Sequence, residues 1–344
     1  MSHLNPTSVR HSLSNSANAS RRQLLRNATR AALMTSLLAS ALPGFAQSDA
    51  PLRVILPLSA GSGVDAIIRS AQVALSKELK QPVVIENLPG AGGITGTSAL
   101  IKAAPDGKTI AFISNNHAVN PSVYKKMPYD SINDITPITV VGETPFVMVV
   151  NPQKLPVKNA KELAAALKAK PDFYNYASSG NGTIIQLAAE MFVQSAKVNV
   201  KHIPYKGTGP MLTDIISGQV DFGVASVPSV QGHLKAGLLR PVAIMGQNRT
   251  ASLPELPTMA EQGYPDVVVG GWFAAVAPKG LPAAELKRLN TGIAKAFTSP
   301  ELKEVMAQQE NQIHPSTPEQ ATSFLRSEQT RYAEIVKKAH IQLD

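Results

Sequence analysis

Two short turns of matching composition constrain how this chain can fold. One reads Ser59-Ala60-Gly61-Ser62-Gly63, and the other reads Ser178-Ser179-Gly180-Asn181-Gly182, 119 residues further on. Each follows an apolar run typical of a strand and precedes apolar residues at helical spacing. A glycine-rich turn of this kind presents backbone N–H groups at a helix N-terminus, where an anion can bind. The pair predicts one ligand held between two lobes; the alternative is two ordinary strand-to-helix connections.

The two stretches that follow these turns carry the apolar stripe of a buried helix. The first stripe is Val64, Ile67, Ile68, Ala71 and Leu75, and the second is Ile184, Leu187, Ala188 and Met191. Thr183 or Asn181 is the expected cap of the second helix, because both side chains can accept a hydrogen bond from its first turn.

Strands alternate with helices along most of the chain, which predicts an α/β protein with mostly parallel sheets. Ligands of such sheets gather at the carboxyl ends of the strands. Three further polar loops follow predicted strands and are expected at that edge, namely Leu88–Gly93, Ser114–His117 and Tyr205–Gly209.

Two apolar runs closed by proline predict strands that cross between the lobes, near Val149–Asn151 and near Ala275–Ala277. The first lobe is then residues 48–147 with 272–344, and the second lobe is residues 148–271. Short paired crossings of this kind form a hinge, so we expect the lobes to close around a ligand.

The N-terminus has the pattern of a twin-arginine export signal. Arg21-Arg22 precede the apolar run Ala31–Leu42, and Gly44-Phe45-Ala46 offers small residues for signal peptidase. We therefore expect residues 1–47 to be removed, with cleavage near Ala46, and the mature protein to lie in the periplasm. The alternative is a basic N-terminal tail.

The charge of the chain argues against a nucleic-acid partner. Of the formal charge of +9, five arginines lie in residues 1–47, which contain no lysine or acidic residue. The remainder has 28 basic and 24 acidic residues and no basic run. That modest excess favours an acidic small ligand.

Motifs for catalysis or cofactor binding are incomplete. There is no cysteine, and Lys102 stands where a phosphate-binding loop ending at Thr109 needs glycine. The mature histidines lack the spacing of a metal site, so we expect no metal. Because the motifs are incomplete, we also expect no cofactor and no enzyme activity. A serine hydrolase using Ser62 or Ser179 is the competing reading, although no Gly-x-Ser-x-Gly turn is present.

His117 is the histidine expected to face the cleft, because it follows a predicted strand. Asp65 starts a predicted helix, where an acid more often caps than reacts. Asp221 could hydrogen-bond a ligand or hold a neighbouring loop.

Together these motifs resemble a known family, the periplasmic substrate-binding receptors of tripartite tricarboxylate transporters. The similarity covers essentially the whole mature chain. It is carried by the order and spacing of several short motifs: Leu56–Asp65, Glu86–Gly93, Tyr176–Thr183, Pro204–Gly207, Gly218–Asp221, Gly271-Trp272-Phe273 and Ala277-Pro278. Leu58, Ser62 and Gln186 differ from the residues common in the family.

The resemblance implies a type II periplasmic binding fold and a receptor that captures a small organic carboxylate. Its implied partners are one large and one small membrane transporter subunit, and we expect the receptor to be a monomer. A sensor for a signalling system is an alternative with the same fold. The candidate ligand-binding residues are Ser59, Ala60, Ser62, Gly63, Asp65, Ala91, Gly92, Ser114, Asn115, Ser178, Ser179, Gly180, Asn181, Thr183, Tyr205 and Asp221.

Overall fold

Two β-sheets with helices around them make up the protein in this computed structural model, which describes residues 50–339. The predicted export signal lies outside the described residues. The strands are β1 (Leu52–Leu56), β2 (Val83–Asn87), β3 (Thr109–Ser114), β4 (Ile135–Thr144), β5 (Phe146–Val150), β6 (Asn175–Ser178), β7 (Lys201–Pro204), β8 (Phe222–Ser226), β9 (Arg240–Ile244), β10 (Gly271–Pro278) and β11 (Gln312–Ile313).

The helices alternate with most of these strands, although no helix separates β4 from β5 or β9 from β10, and the last three helices follow nearly in succession. They are α1 (Gly63–Leu79), α2 (Ile94–Ile101), α3 (Asn115–Val123), α4 (Ala160–Ala169), α5 (Ile184–Ala196), α6 (Thr208–Ser217), α7 (Val227–Lys235), α8 (Ala283–Thr298), α9 (Pro300–Gln308) and α10 (Pro318–Ala339). A short 3₁₀ turn, Ala91–Gly93, precedes α2.

The first sheet has the strand order β11-β4-β10-β3-β1-β2, and the second has the order β7-β6-β8-β5-β9. Both sheets are mixed rather than mostly parallel. β1 pairs in parallel with β2 and β3, and β6 pairs in parallel with β7 and β8, whereas β10 and β5 are antiparallel to their neighbours. Each of these two strands enters its sheet from the other lobe, so it runs opposite to the strands that end facing that lobe.

The two helices after the glycine-rich turns begin as their sequences predict. Ser62 Oγ accepts the N–H of Asp65 at 3.3 Å at the start of α1, and Thr183 Oγ1 accepts the N–H of Gln186 at 3.4 Å at the start of α5. Thr183, rather than Asn181, is therefore the cap. Both helices end at a lysine in the left-handed conformation, and their apolar faces are buried.

Alternating side chains of the first sheet enter two different cores. Val54 and Leu56 pack with α1 and α8 on one face, where Phe112 and Phe297 are fully buried. Ile55 points to the opposite face, into a core that continues through Phe146 and Trp272 into the second lobe. The apolar contact between the lobes therefore runs along the strands that connect them.

The chain changes sheet at two segments, 144–146 and 269–271, which we call the hinge segments. β4 ends at Thr144 in the first sheet and β5 begins at Phe146 in the second, while β10 begins at Gly271 in the first sheet. The crossings predicted near Val149–Asn151 and Ala275–Ala277 are therefore wrong, because those residues lie within single sheets. The prolines that follow them close the strands at the ends remote from the other lobe. The division at 148 and 271 stays a prediction.

No helix within residues 50–339 is both long enough and apolar enough to cross a membrane.

Candidate functional site

The carboxyl ends of strands from both sheets face each other across two connected spaces. The inner chamber has a volume of about 60 Å³. It is lined by Leu58, Ser62, Gly63, Val64, Ser114, Asn115, Asn116, Thr144, Phe146, Ser179, Ile184, Ile185, Thr208, Ser226, Gly271 and Trp272. The outer chamber has a volume of about 510 Å³. Leu58, Ser59, Ser62, Ala91, Gly92, Asn116, Tyr124, Ser179, Gly180, Asn181, Thr183, Tyr205, Lys206 and Thr208 are among its walls.

Five helices begin at the inner chamber. Its walls include the first residues of α1, α3, α5 and α6, and Ser226, which directly precedes α7. Each of these helices has at least nine residues. A helix N-terminus carries partial positive charge and N–H groups without intrahelical partners. The chamber is therefore an electropositive space, and no cationic side chain is among the described residues that line it.

Asp65 holds the first glycine-rich turn in place through hydrogen bonds. Its carboxylate accepts the N–H of Gly61 at 2.9 Å, the side-chain amide of Asn87 at 2.9 Å and the guanidinium of Arg69 at 2.9 Å. It is 4% exposed. Asp65 lines neither chamber, and its contacts are those of a residue that holds the turn.

The second turn uses most of its own donors, contrary to the expectation of a free row of N–H groups. The N–H of Gly180 is bonded to Ser178 Oγ at 3.2 Å, and that of Gly182 to Gln186 Oε1 at 2.7 Å. The N–H of Ile184, at the start of α5, is bonded to Asn116 Oδ1 of the first lobe at 2.8 Å. Side-chain oxygens accept these N–H groups, and the spacing of residues in the sequence does not reveal those contacts.

Ser178 is fully buried beneath the second turn and pairs with a histidine. Its Oγ lies 2.6 Å from His202 Nε2 and donates to the carbonyl of Gly180 at 3.0 Å. Burial lowers the pKa of His202 to about 4, so the ring is neutral at pH 7. Neither Ser62 nor Ser179 has a histidine among its hydrogen-bond partners in the described residues.

Asp221 lies at the end of the second sheet that is remote from the chambers. It precedes β8, whereas the chambers lie at the carboxyl end of that strand, beyond Ser226. Its carboxylate accepts the N–H of Asn175 at 2.7 Å. Of the two roles left open by the sequence, the structure supports the one of holding a neighbouring segment.

Asn115 joins the inner chamber to a hinge segment. Its Nδ2 donates to the carbonyl of Gly270 at 3.0 Å and to Tyr332 Oη at 2.6 Å, and its Oδ1 accepts the N–H of Trp272 at 3.0 Å. These three hydrogen bonds tie the buried Asn115 side chain to both sides of Gly271, so Asn115 fixes the start of β10.

His117 does not face the cleft with a free ring. It is 4% exposed, and Nε2 donates to the carbonyl of Ser131 at 2.6 Å. Burial lowers its pKa to about 4. In residues 50–339 no cluster of three or more histidine or acidic side chains is placed to hold a metal ion.

The structure brings most of the predicted site residues together. Ala60, Asp65, Ser178 and Asp221 are the predicted residues that line neither chamber. Six residues that line the chambers were not among the candidate ligand-binding residues, namely Asn116, Thr208, Ser226, Lys206, Phe146 and Trp272. Asn116, Lys206 and Thr208 lie in loops that were predicted at this edge. Asn116, Thr208 and Ser226 follow strands, and that position in the sequence could have predicted their place in the site. The positions of Phe146 and Trp272 depend on where the chain changes sheet, which the sequence pattern did not show.

Two lobes, two connecting segments and a polar cleft between strand ends are the features of a type II solute-binding protein. The model of the tripartite tricarboxylate transporter family receptor matches residues 67–341, and the chain belongs to that family.

Relatives of known name and structure agree with this assignment. Protein BugT of Bordetella pertussis is 36% identical over 295 residues, covering 85% of this chain and 90% of BugT. The structure of the periplasmic binding protein BugD is 31% identical with a TM-score of 0.82, covering 85% of this chain and 98% of BugD. The R. palustris protein Rpa4515, solved with adipate, is 29% identical with a TM-score of 0.82 and the same two coverages.

Proposed function

We propose that this chain is a periplasmic receptor that captures a small organic carboxylate between its lobes and delivers it to a transporter. The carboxylate occupies the inner chamber, and the rest of the ligand extends into the outer chamber. The membrane partners are one large and one small transporter subunit, and the receptor acts as a monomer without a cofactor.

The observation that carries the proposal is the meeting of five helix N-termini at the inner chamber. Each helix end stabilises a nearby anion by about 0.3–1 kcal/mol. Ser62, Ser179, Thr208 and Ser226 add hydroxyl groups to the same walls. Recognition by dipoles and hydroxyls avoids the desolvation cost of burying a cationic side chain with the anion.

The relatives support the choice of a carboxylate. Rpa4515 was solved with adipate, a dicarboxylate, and its chain is covered almost completely by the alignment. Family membership supports the periplasmic location and the transport role. The predicted export signal in residues 1–47 agrees with that location. Two membrane-subunit genes beside this gene would favour transport, and a lone gene beside a sensor kinase would favour signalling.

Contacts between the lobes support a clamp. Asn116 of the first lobe accepts the N–H of Ile184 in the second, and an added Cβ on Gly63 would lie 2.2 Å from Ser226 Oγ. The lobes therefore already touch around the inner chamber. A ligand stabilises this arrangement by the contacts that it makes to both sides.

A thermal-shift screen tests the proposal. Mono-, di-, tri- and aromatic carboxylates are compared with neutral sugars and divalent metal ions, on the mature protein. We expect at least one carboxylate to raise the melting temperature, because a ligand that binds only the folded state stabilises it. A shift with sugars or metals and none with carboxylates would contradict the proposal. Hydrolysis of ester substrates that is lost in Ser179→Ala would favour the hydrolase instead.

A further inference from the structure

Charge is distributed unevenly along the ligand cleft. Among the described residues that line the two chambers, Lys206 is the one with a formally charged side chain. Tyr124 and Tyr205 are neutral at pH 7, as tyrosine ordinarily is, and burial raises the pKa of both hydroxyls further. The part of the cleft that the structure describes therefore has one cation and no carboxylate in its walls.

Lys206 lies in the outer chamber and directly precedes Gly207, the N-cap residue of α6. It follows β7 in the segment Pro204–Thr208, which lines the outer chamber, whereas of this segment only Thr208 also lines the inner one. The Lys206 side chain is exposed. Among the described residues, the inner chamber therefore has helix N-termini without a cationic side chain. The outer chamber has an ammonium group as well as residues at the N-termini of α1, α5 and α6.

The ammonium group of Lys206 is available. No carboxylate in the part of the chain from 50 to 339 forms an ion pair with it. The neighbouring acid, Asp214, accepts the hydroxyl of Tyr205 at 2.8 Å instead. A lysine without an internal counter-charge, beside a space of about 510 Å³, can pair with a charge on the ligand.

We infer that Lys206 pairs with the second carboxylate of a linear dicarboxylate whose first carboxylate occupies the inner chamber. This inference rests on the proposed function and adds the substrate class and the residue that selects it. Ion pairs of exposed side chains are weak and are screened by salt. Lys206 therefore adjusts the preference for a second charge, while the inner chamber supplies the main recognition of the ligand.

The test compares two ligands that differ in one charge. Calorimetry first identifies the best-binding diacid of the series from succinate to suberate, and its monomethyl ester is the comparator of nearly the same length. Both are titrated into the wild type, Lys206→Met and the control Lys201→Met. Lys201 is exposed at the start of β7 and lines neither chamber.

We expect the wild type and Lys201→Met to bind the diacid about fivefold more tightly than the ester. In Lys206→Met this preference falls to less than about twofold, the ester affinity is unchanged, and high salt reduces the wild-type preference in the same way. An unchanged preference in Lys206→Met overturns the inference, as does an equal loss for both ligands. If monocarboxylates bind but no diacid does, the inference is wrong and the proposed function stands; if no carboxylate binds, the proposed function itself fails.

Discussion

Ser59 of the first lobe and Thr208 of the second are joined by a hydrogen bond across the cleft, although 149 positions separate them in the chain. Ser59 Oγ accepts the backbone N–H of Thr208 at 3.1 Å. An added Cβ on Gly207 would lie 2.3 Å from the same oxygen. The lobes therefore meet at small residues, and this contact depends on the space that glycine leaves.

Gly63→Ala should hinder closure of the lobes. Its Cβ would lie 2.2 Å from Ser226 Oγ and 2.8 Å from Ser226 Cβ, so rotating the serine does not remove the overlap. Overpacking typically costs about 1–3 kcal/mol, which corresponds to at least about fivefold weaker ligand binding. The melting temperature without ligand should change little, because the clash exists only when the lobes meet.

Calorimetry with a bound carboxylate checks this, and small-angle scattering reports whether the radius of gyration still falls with ligand. Gly232→Ala in α7 is the matched control, because no atom lies within 4 Å of its added Cβ. Wild-type affinity and wild-type compaction in Gly63→Ala would show that closure does not require this contact.

The sequence predicted the local parts of the site better than the parts that depend on strand direction. Ser62, Ser179 and Thr183 were found because a strand, a polar turn and a helix follow one another directly. Asp221 was misplaced because it precedes its strand, and only the direction of β8 shows that this end is remote. The hinge was misplaced because proline marks the end of a strand but not which sheet the strand belongs to.

Asn116→Asp should weaken carboxylate binding without unfolding the protein. The new carboxylate can still accept the N–H of Ile184, and it stabilises the N-terminus of α5. It also places a negative charge in the wall of the inner chamber, where it repels the ligand. We expect more than about tenfold weaker binding and an unchanged or higher melting temperature without ligand.

Asn199→Asp is the control for Asn116→Asp, because Asn199 is exposed and lines neither chamber. It should bind the ligand like the wild type. Equal affinities of Asn116→Asp and the wild type would mean that the anion binds elsewhere.

His117 should make the stability depend on pH between about 6.5 and 4. Burial lowers its pKa in the folded protein to about 4 from an ordinary value of 6.5. As the pH falls, the unfolded chain therefore binds this proton before the folded protein does. Above pH 6.5 the neutral ring makes its full contribution to the free energy of unfolding. It is lost as the pH falls towards 4, by about 3 kcal/mol in the limit.

Urea unfolding at several pH values measures this slope. His117→Gln keeps a donor for the carbonyl of Ser131 but cannot titrate, so its free energy of unfolding should fall less steeply over the same range. An identical slope in the variant would assign the pH dependence to other groups, of which His202 is one.

An ammonium group on the ligand should weaken binding. No carboxylate among the described residues lines either chamber, and Asp65 is occupied by three internal donors. Burying an unpaired charge is costly. Succinate should therefore bind at least about tenfold more tightly than L-aspartate, which differs from it by the ammonium group. Competition calorimetry compares the two affinities. Tighter binding of aspartate would contradict the claim that the chambers have no carboxylate to pair with an ammonium group.

The central claim is that helix N-termini recognise a negative charge in the inner chamber. Calorimetric titration of the best-binding carboxylate and of its primary amide tests it most directly, because the two are nearly equal in shape and differ in charge. The account predicts that the amide binds more than about tenfold less tightly, since several helix ends each stabilise the anion by about 0.3–1 kcal/mol. Equal affinity for the amide and the carboxylate would contradict it.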